Sequence, residues 1–111
     1  MTVRDAADML SLKIVAGERG MGAEVTGGIA CDLLSVVLSH GRPGALWITV
    51  QCHPNVVAVA QMVGLAAIVI AHGFEPEEET LARAEAEGLS VLTTAESTFA
   101  LAGALAGLGV R

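Results

Sequence analysis

The residues of this chain that could do chemistry stand directly after four short apolar runs. Leu12 to Ala16 leads into Gly17-Glu18-Arg19-Gly20, and Ala45 to Val50 into Gln51-Cys52-His53-Pro54-Asn55. Ala67 to Ala71 leads into His72-Gly73-Phe74-Glu75, and Leu89 to Leu92 into Thr93-Thr94-Ala95-Glu96. If the runs are strands of a parallel sheet covered by helices, the loops share one rim, because ligands in such folds bind outside the carboxyl ends of the strands. Glu18, Gln51, His53, Asn55, His72, Gly73, Thr93 and Thr94 are therefore the candidate ligand contacts, as hydrogen-bonding side chains or as backbone approached closely. Glu18 repels an anion but suits a ribose hydroxyl or a metal. Thr26, Gly27 and Gly28 join the list on a different ground. They precede a predicted helix, so their amides and the helix dipole could hold an anion there, while the plain alternative is an N-cap with Thr26 as the capping residue.

Other chemistries lack their residues. Cys52, His53 and His72 follow neighbouring runs and could meet at a metal, but zinc sites take three or four protein ligands and no further Cys or His supplies a clear fourth. No metal site or cofactor is assigned, and the plain reading of His53 is a helix cap ahead of Pro54. Gly17, Gly20 and Gly22 are spaced GxxGxG, which suits a tight turn and is not the dinucleotide fingerprint. A P-loop needs Gly-Lys followed by Ser or Thr, and Lys13, the only lysine, does not provide it. No Ser, Cys or Thr stands beside a base as a nucleophile would, so no catalytic residue is assigned.

The elements that position these loops are legible from pattern. Thr2 and Asp5 are spaced to cap an opening helix, with Val3, Ala6, Ala7 and Leu10 on its apolar face. Ile29 to His40 reads as a second helix, with Asp32, Ser35 and Ser39 as its polar stripe and Gly41 as its end. Val56, Val59, Ala60 and Val63 recur at helical spacing after Pro54 or Asn55, the third crossover helix runs from Pro76 to Gly88, and Glu79 and Arg83 form an i, i+4 pair on it. Thr93 and Glu96 are spaced as a capping box for a last helix, Ser97 to Leu108. Between Gly17 and Gly28 an extra strand and a loop are both open. Alternating strands and helices predict a three-layer α/β/α sandwich with a mainly parallel sheet of four to five strands, in one domain spanning residues 1–111.

Composition excludes some partners. Six Lys and Arg against twelve Asp and Glu give a net charge of −6, which opposes a phosphate backbone, so nucleic acid is not expected. Phe99 to Val110, the longest apolar and glycine-rich stretch, falls short of the roughly 20 residues that span a bilayer. Without a visible secretory signal the chain is expected in the cytoplasm, with Cys31 and Cys52 reduced. Hydrophobic residues make up 53% of the chain and aromatic ones 3%, an apolar balance for so small a domain that predicts a homodimer or larger assembly.

Four segments together resemble the DRTGG domain family. They are Ile14-Val15-Ala16-Gly17-Glu18, Glu24-Val25-Thr26-Gly27-Gly28, Trp47 to Asn55 and Glu75-Pro76-Glu77-Glu78-Glu79-Thr80. The name-giving motif is kept as Thr-Gly-Gly but not as Asp-Arg, since Ala23-Glu24-Val25 stand ahead of Thr26. The resemblance covers nearly the whole chain and is strongest to stand-alone members, often encoded beside iron-only hydrogenase or other redox genes. Related domains occur in regulatory pyrophosphatases with CBS domains, in long phosphotransacetylases and at the N-terminus of HPr kinase/phosphorylase. It implies a regulatory or dimerising module without catalysis of its own, a kinase label belonging to a neighbouring domain. The expectation is a homodimeric regulatory or scaffold module that senses a small ligand at the strand ends and serves a redox or metabolic enzyme. Its rivals are a nucleotide or phosphometabolite-binding domain and a metal-binding redox accessory protein.

Overall fold

The computed structural model covers residues 1–111. In chain order it contains α1 (Val3–Leu10), β1 (Lys13–Ala16), a single 3-10 turn (Glu18–Gly20), β2 (Gly27–Ala30), α2 (Leu34–His40) and β3 (Ala45–Thr49). There follow α3 (Asn55–Val63), β4 (Ala67–Ile70), α4 (Glu78–Glu87), β5 (Ser90–Thr93) and α5 (Thr98–Gly107). The five strands lie in the order β1-β5-β4-β3-β2. Four of them are parallel, and β1 joins the edge antiparallel to β5, so the sheet is mixed.

β3 and β4 are the apolar runs Ala45-Leu46-Trp47-Ile48-Thr49 and Ala67-Ile68-Val69-Ile70, and every residue of both is buried, as central strands covered on two faces require. Alternate side chains feed two cores. One holds Leu46, Ile48, Val69 and Leu92 against Val3, Ala6 and Ala7 of α1 and Leu101 and Leu105 of α5. The other holds Trp47, Ile68, Ile70 and Val91 against Val37 of α2, Val56, Val59 and Ala60 of α3 and Ala84 of α4. This is the three-layer sandwich that the pattern predicts. No helix is long and apolar enough to cross a membrane.

The helix expected over Ile29 to His40 begins five residues late, and its first two residues are strand. Gly27–Ala30 pairs in parallel with β3, Cys31 N–H donates to the Ile48 carbonyl at 3.1 Å, and the helix starts only at Leu34. Edge pairing overrides a run whose apolar residues also fit helical spacing. α4 starts at Glu78, two residues past Pro76, where Glu77 N–H donates to the Cys52 carbonyl at 3.1 Å. The α5 cap is Ser97, whose hydroxyl accepts from Ala100 N–H at 3.1 Å, in place of the expected Thr93 and Glu96 box. Thr94 Oγ1 instead accepts from Glu96 N–H at 3.2 Å in the preceding turn. At α1 the expected box forms, Asp5 N–H donating to Thr2 Oγ1 at 3.2 Å and Thr2 N–H to Asp5 Oδ2 at 2.9 Å.

Candidate functional site

The antiparallel β1 divides the predicted rim. The loop after β1 lies at the amino ends of the parallel strands, where Gly17 N–H donates to Glu85 Oε1 at 3.0 Å and the Gly17 carbonyl accepts from Ser90 Oγ at 2.7 Å. Gly17 has φ +70°, and a Cβ there would overlap the Leu89 carbonyl, so this close approach requires glycine. Glu18 is carried away from the other candidates and pairs with Arg4 at 3.1 Å.

Thr26, Gly27 and Gly28 are displaced as well. They open an edge strand and do not cap a helix, because Leu33 is the residue ahead of α2. Thr26 Oγ1 donates to the Pro43 carbonyl at 2.9 Å, and Gly28 N–H donates to the Arg111 carbonyl at 3.1 Å. A Cβ at Gly27 would stand 2.8 Å from that same carbonyl, so the glycines let the chain's last residues run against β2.

The carboxyl end does gather Gln51, His53, Asn55, His72, Gly73, Thr93 and Thr94, which follow or close β3, β4 and β5. Most of their polar groups are already engaged. Gln51 Nε2 donates to the Asp32 carbonyl at 3.0 Å, and Asn55 N–H donates to His53 Nδ1 at 3.1 Å. His72, at φ +63°, accepts from Thr98 N–H through Nε2 at 3.1 Å and so caps the start of α5. The amides of His72 and Gly73 donate to the carbonyls of Glu96 and Thr94 at 2.8 and 2.9 Å.

Cys52, His53 and His72 do not converge, and no group of three His, Cys, Asp or Glu side chains is placed to hold a metal ion. Burial and the nearby Glu77 carboxylate raise the Cys52 pKa, which holds the thiol protonated. Its carbonyl is structural, accepting from Thr80 Oγ1 at 2.7 Å.

Two residues of this end escape a reading by pattern. Asp32, hidden in an apparent helical stripe, accepts through Oδ1 from Thr49 Oγ1 at 2.9 Å and from Val50 N–H at 2.8 Å, tying the end of β2 to the end of β3. The available signal was its place directly after the apolar residues Ile29 to Cys31. Lys13, the only lysine, begins β1 opposite Thr93. It borders a cleft of about 420 Å³ lined also by Ser11, Phe74, Glu75, Thr94 and Glu96, with a smaller hollow of about 160 Å³ beside it that shares Lys13, Glu75 and Thr93. Arg4 and Arg83 pair with carboxylates, whereas Lys13 has no ion pair.

A mixed five-stranded sheet covered by helices on both faces defines a small three-layer α/β domain. The DRTGG domain model matches residues 6–108, and the chain belongs to that family. In structure it is similar to the CBS and DRTGG domains of the regulatory region of Clostridium perfringens pyrophosphatase, solved in complex with its activator, diadenosine tetraphosphate. The TM-score is 0.69 at 15% sequence identity, over 92% of this chain and 44% of that one. The chain thus spans less than half the length of that solved structure, and the likeness shows the fold. No curated protein matches it in sequence.

Proposed function

We propose that this chain is a non-catalytic regulatory module that homodimerises and senses a small ligand at the carboxyl ends of its strands. The observation that carries the reading is the cleft bordered by Lys13, Thr93 and Thr94. Its unpaired ammonium suits a phosphate, the ring of Phe74, 53% exposed, suits a base, and Glu75 and Glu96 accept from hydroxyl or amino groups. The solved relative's regulatory region holds a dinucleoside polyphosphate, which makes nucleotides the first ligand class to try. His53, Asn55 and Gln51 lie at the same sheet end as secondary contacts. A redox or metabolic enzyme in the cytoplasm is the receiver that the module would regulate.

Homodimerisation is supported by α5. The helix carries no charged residue, and it exposes Phe99, Ala100, Gly103, Ala104, Ala106 and Gly107, with Phe99 89% exposed. A helix that is apolar all round belongs in an interior, and the small residues let a second copy approach closely. The ligand test is thermal shift against nucleotides, diadenosine tetraphosphate included. A ligand at 100 times its Kd adds about 2.7 kcal/mol. The shift is expected to vanish in Lys13→Ala and persist in Arg83→Ala, and a shift of equal size in both variants removes the cleft from the reading. For the dimer, light scattering at micromolar concentration is expected to give twice the monomer mass, and the monomer mass for Phe99→Asp.

A further inference from the structure

A second cleft lies at the opposite end of the sheet, beside the Thr-Gly-Gly segment. Its volume is about 350 Å³, and it is lined by Thr26, Gly27, Gly28, Ile29, His40, Arg42, Pro43, Ala45 and Arg111. The chain holds twice as many acidic as basic side chains, yet none of its twelve Asp and Glu lines this cleft, while two of its six Lys and Arg do. Arg42, in the turn between α2 and β3, makes no ion pair, and its side chain donates no hydrogen bond within the chain. The guanidinium of Arg111 is fixed by donation from Nη1 to the Ala106 and Val110 carbonyls at 3.0 and 3.4 Å, which leaves Nε and Nη2 without a partner in the chain. His40 has Nδ1 2.9 Å from Ser39 Oγ, and its Nε2 has no protein partner.

We infer that this cleft is an anion site, built to take the phosphoryl group of a small metabolite between Arg42 and Arg111, with His40 as a third donor. Two arginines border one hollow with no acidic side chain among its lining residues, and the planar fork of arginine matches a phosphoryl group by paired hydrogen bonds. The space in front of Gly27 and Gly28 is taken by the Arg111 carbonyl and the Val110 side chain, so the anion meets the arginine and histidine groups and not these glycines. Thr26 is a wall and not a donor, because its hydroxyl proton is already given to Pro43. Ile29 and Pro43 supply an apolar flank for whatever carries the phosphoryl group. The arginines reach Thr-Gly-Gly from the α2–β3 turn and from the end of the chain, so this segment has cationic neighbours although Glu24 and Val25 precede Thr26. The site is independent of the carboxyl-end cleft and of the regulatory reading placed there.

The test is a titration of the full chain with inorganic phosphate and, separately, with adenosine monophosphate, followed by amide chemical shifts. Saturable changes centred on residues 26–28 and 40–42 are expected with both. Arg42→Ala and Arg111→Ala are each expected to weaken binding at least about tenfold, the scale of losing one charge-assisted contact. Arg83→Ala, which removes an exposed arginine of α4, is expected to bind as the parent does. Arg42→Ala should melt at the parent temperature, since its side chain holds nothing else in place. Three outcomes overturn the inference: no saturable change, equal binding by Arg42→Ala and the parent, or equal loss in Arg83→Ala. Changes confined to Gly73, Thr93 and Thr94 would also overturn it, while supporting the carboxyl-end cleft as the ligand site.

Discussion

The two ends of the sheet use their polar groups in opposite ways. At the carboxyl end Asp32, Gln51 and His72 bond to distant parts of the chain and tie the loops to one another, while His53 and Thr94 accept from amides within their own turns. At the amino end of β2 the cleft is bordered by Arg42, whose side chain has no partner in the chain, and by Arg111, whose Nε and Nη2 have none. A strand end collects polar residues because the chain must turn there. Whether they are free for a ligand depends on how many orphan amides and carbonyls the same turns create, since buried polar groups must be satisfied first. The rule that places ligands at carboxyl ends therefore finds the right neighbourhood but does not tell a donor in use from a donor to spare.

The sharpest way to break the comparison is Asp32→Ala. It leaves the buried Thr49 hydroxyl and the Val50 amide without their acceptor, and is expected to lower stability by about 2–3 kcal/mol in urea unfolding with an unchanged m value. A loss below half a kilocalorie would show that the carboxyl-end knot is dispensable and that its side chains are as available as those of the amino end. His72→Ala should cost about 1 kcal/mol, the scale of a lost helix cap, and should speed amide exchange of Thr98 and Phe99 selectively.

The smallest expected effect tests the lock on α1. The Thr2 amide and hydroxyl hold the Asp5 carboxyl below its ordinary 3.8. A group whose folded pKa is depressed stabilises the fold above the unfolded value and loses that contribution as pH falls through the folded one. The stability gap between the parent and Asp5→Asn should thus be constant above about pH 4 and narrow in acid, as an acid titration of circular dichroism would record.

The parts of the fold that were legible are those where pattern and environment agree. β3 and β4 are buried on both faces and read as continuous apolar runs, and α3 keeps its stripe because it packs on them. β2 was not legible, because Gly27-Gly28-Ile29-Ala30 has little strand propensity of its own and is held by its partner β3. The direction of β1 has no local signature either, since an edge strand of either sense shows the same short run. That one unreadable direction moved Glu18 to the far end of the sheet. Of the candidate site, seven residues are gathered at the predicted end. Lys13 and Arg42 went unmarked because an isolated basic residue in a sequence does not show whether the fold gives it an ion pair or leaves it beside a cleft.

The pairing of β1 with β5 also sets an order of assembly. β2, β3 and β4 can associate through nearby crossovers, but Lys13 has only Thr93 across from it and Ile14 only Leu92. On the ribosome, where chains emerge from the N-terminus onward, the first strand to be synthesised must wait for the last one before it can join the sheet. Until Thr93 is out, β1 has no strand to pair with, and the cleft at Lys13 does not exist. Substitutions that weaken the β1–β5 seam are therefore expected to slow the final docking of the N-terminal segment and leave the central strands' formation untouched, a separation that contact order alone would not reveal.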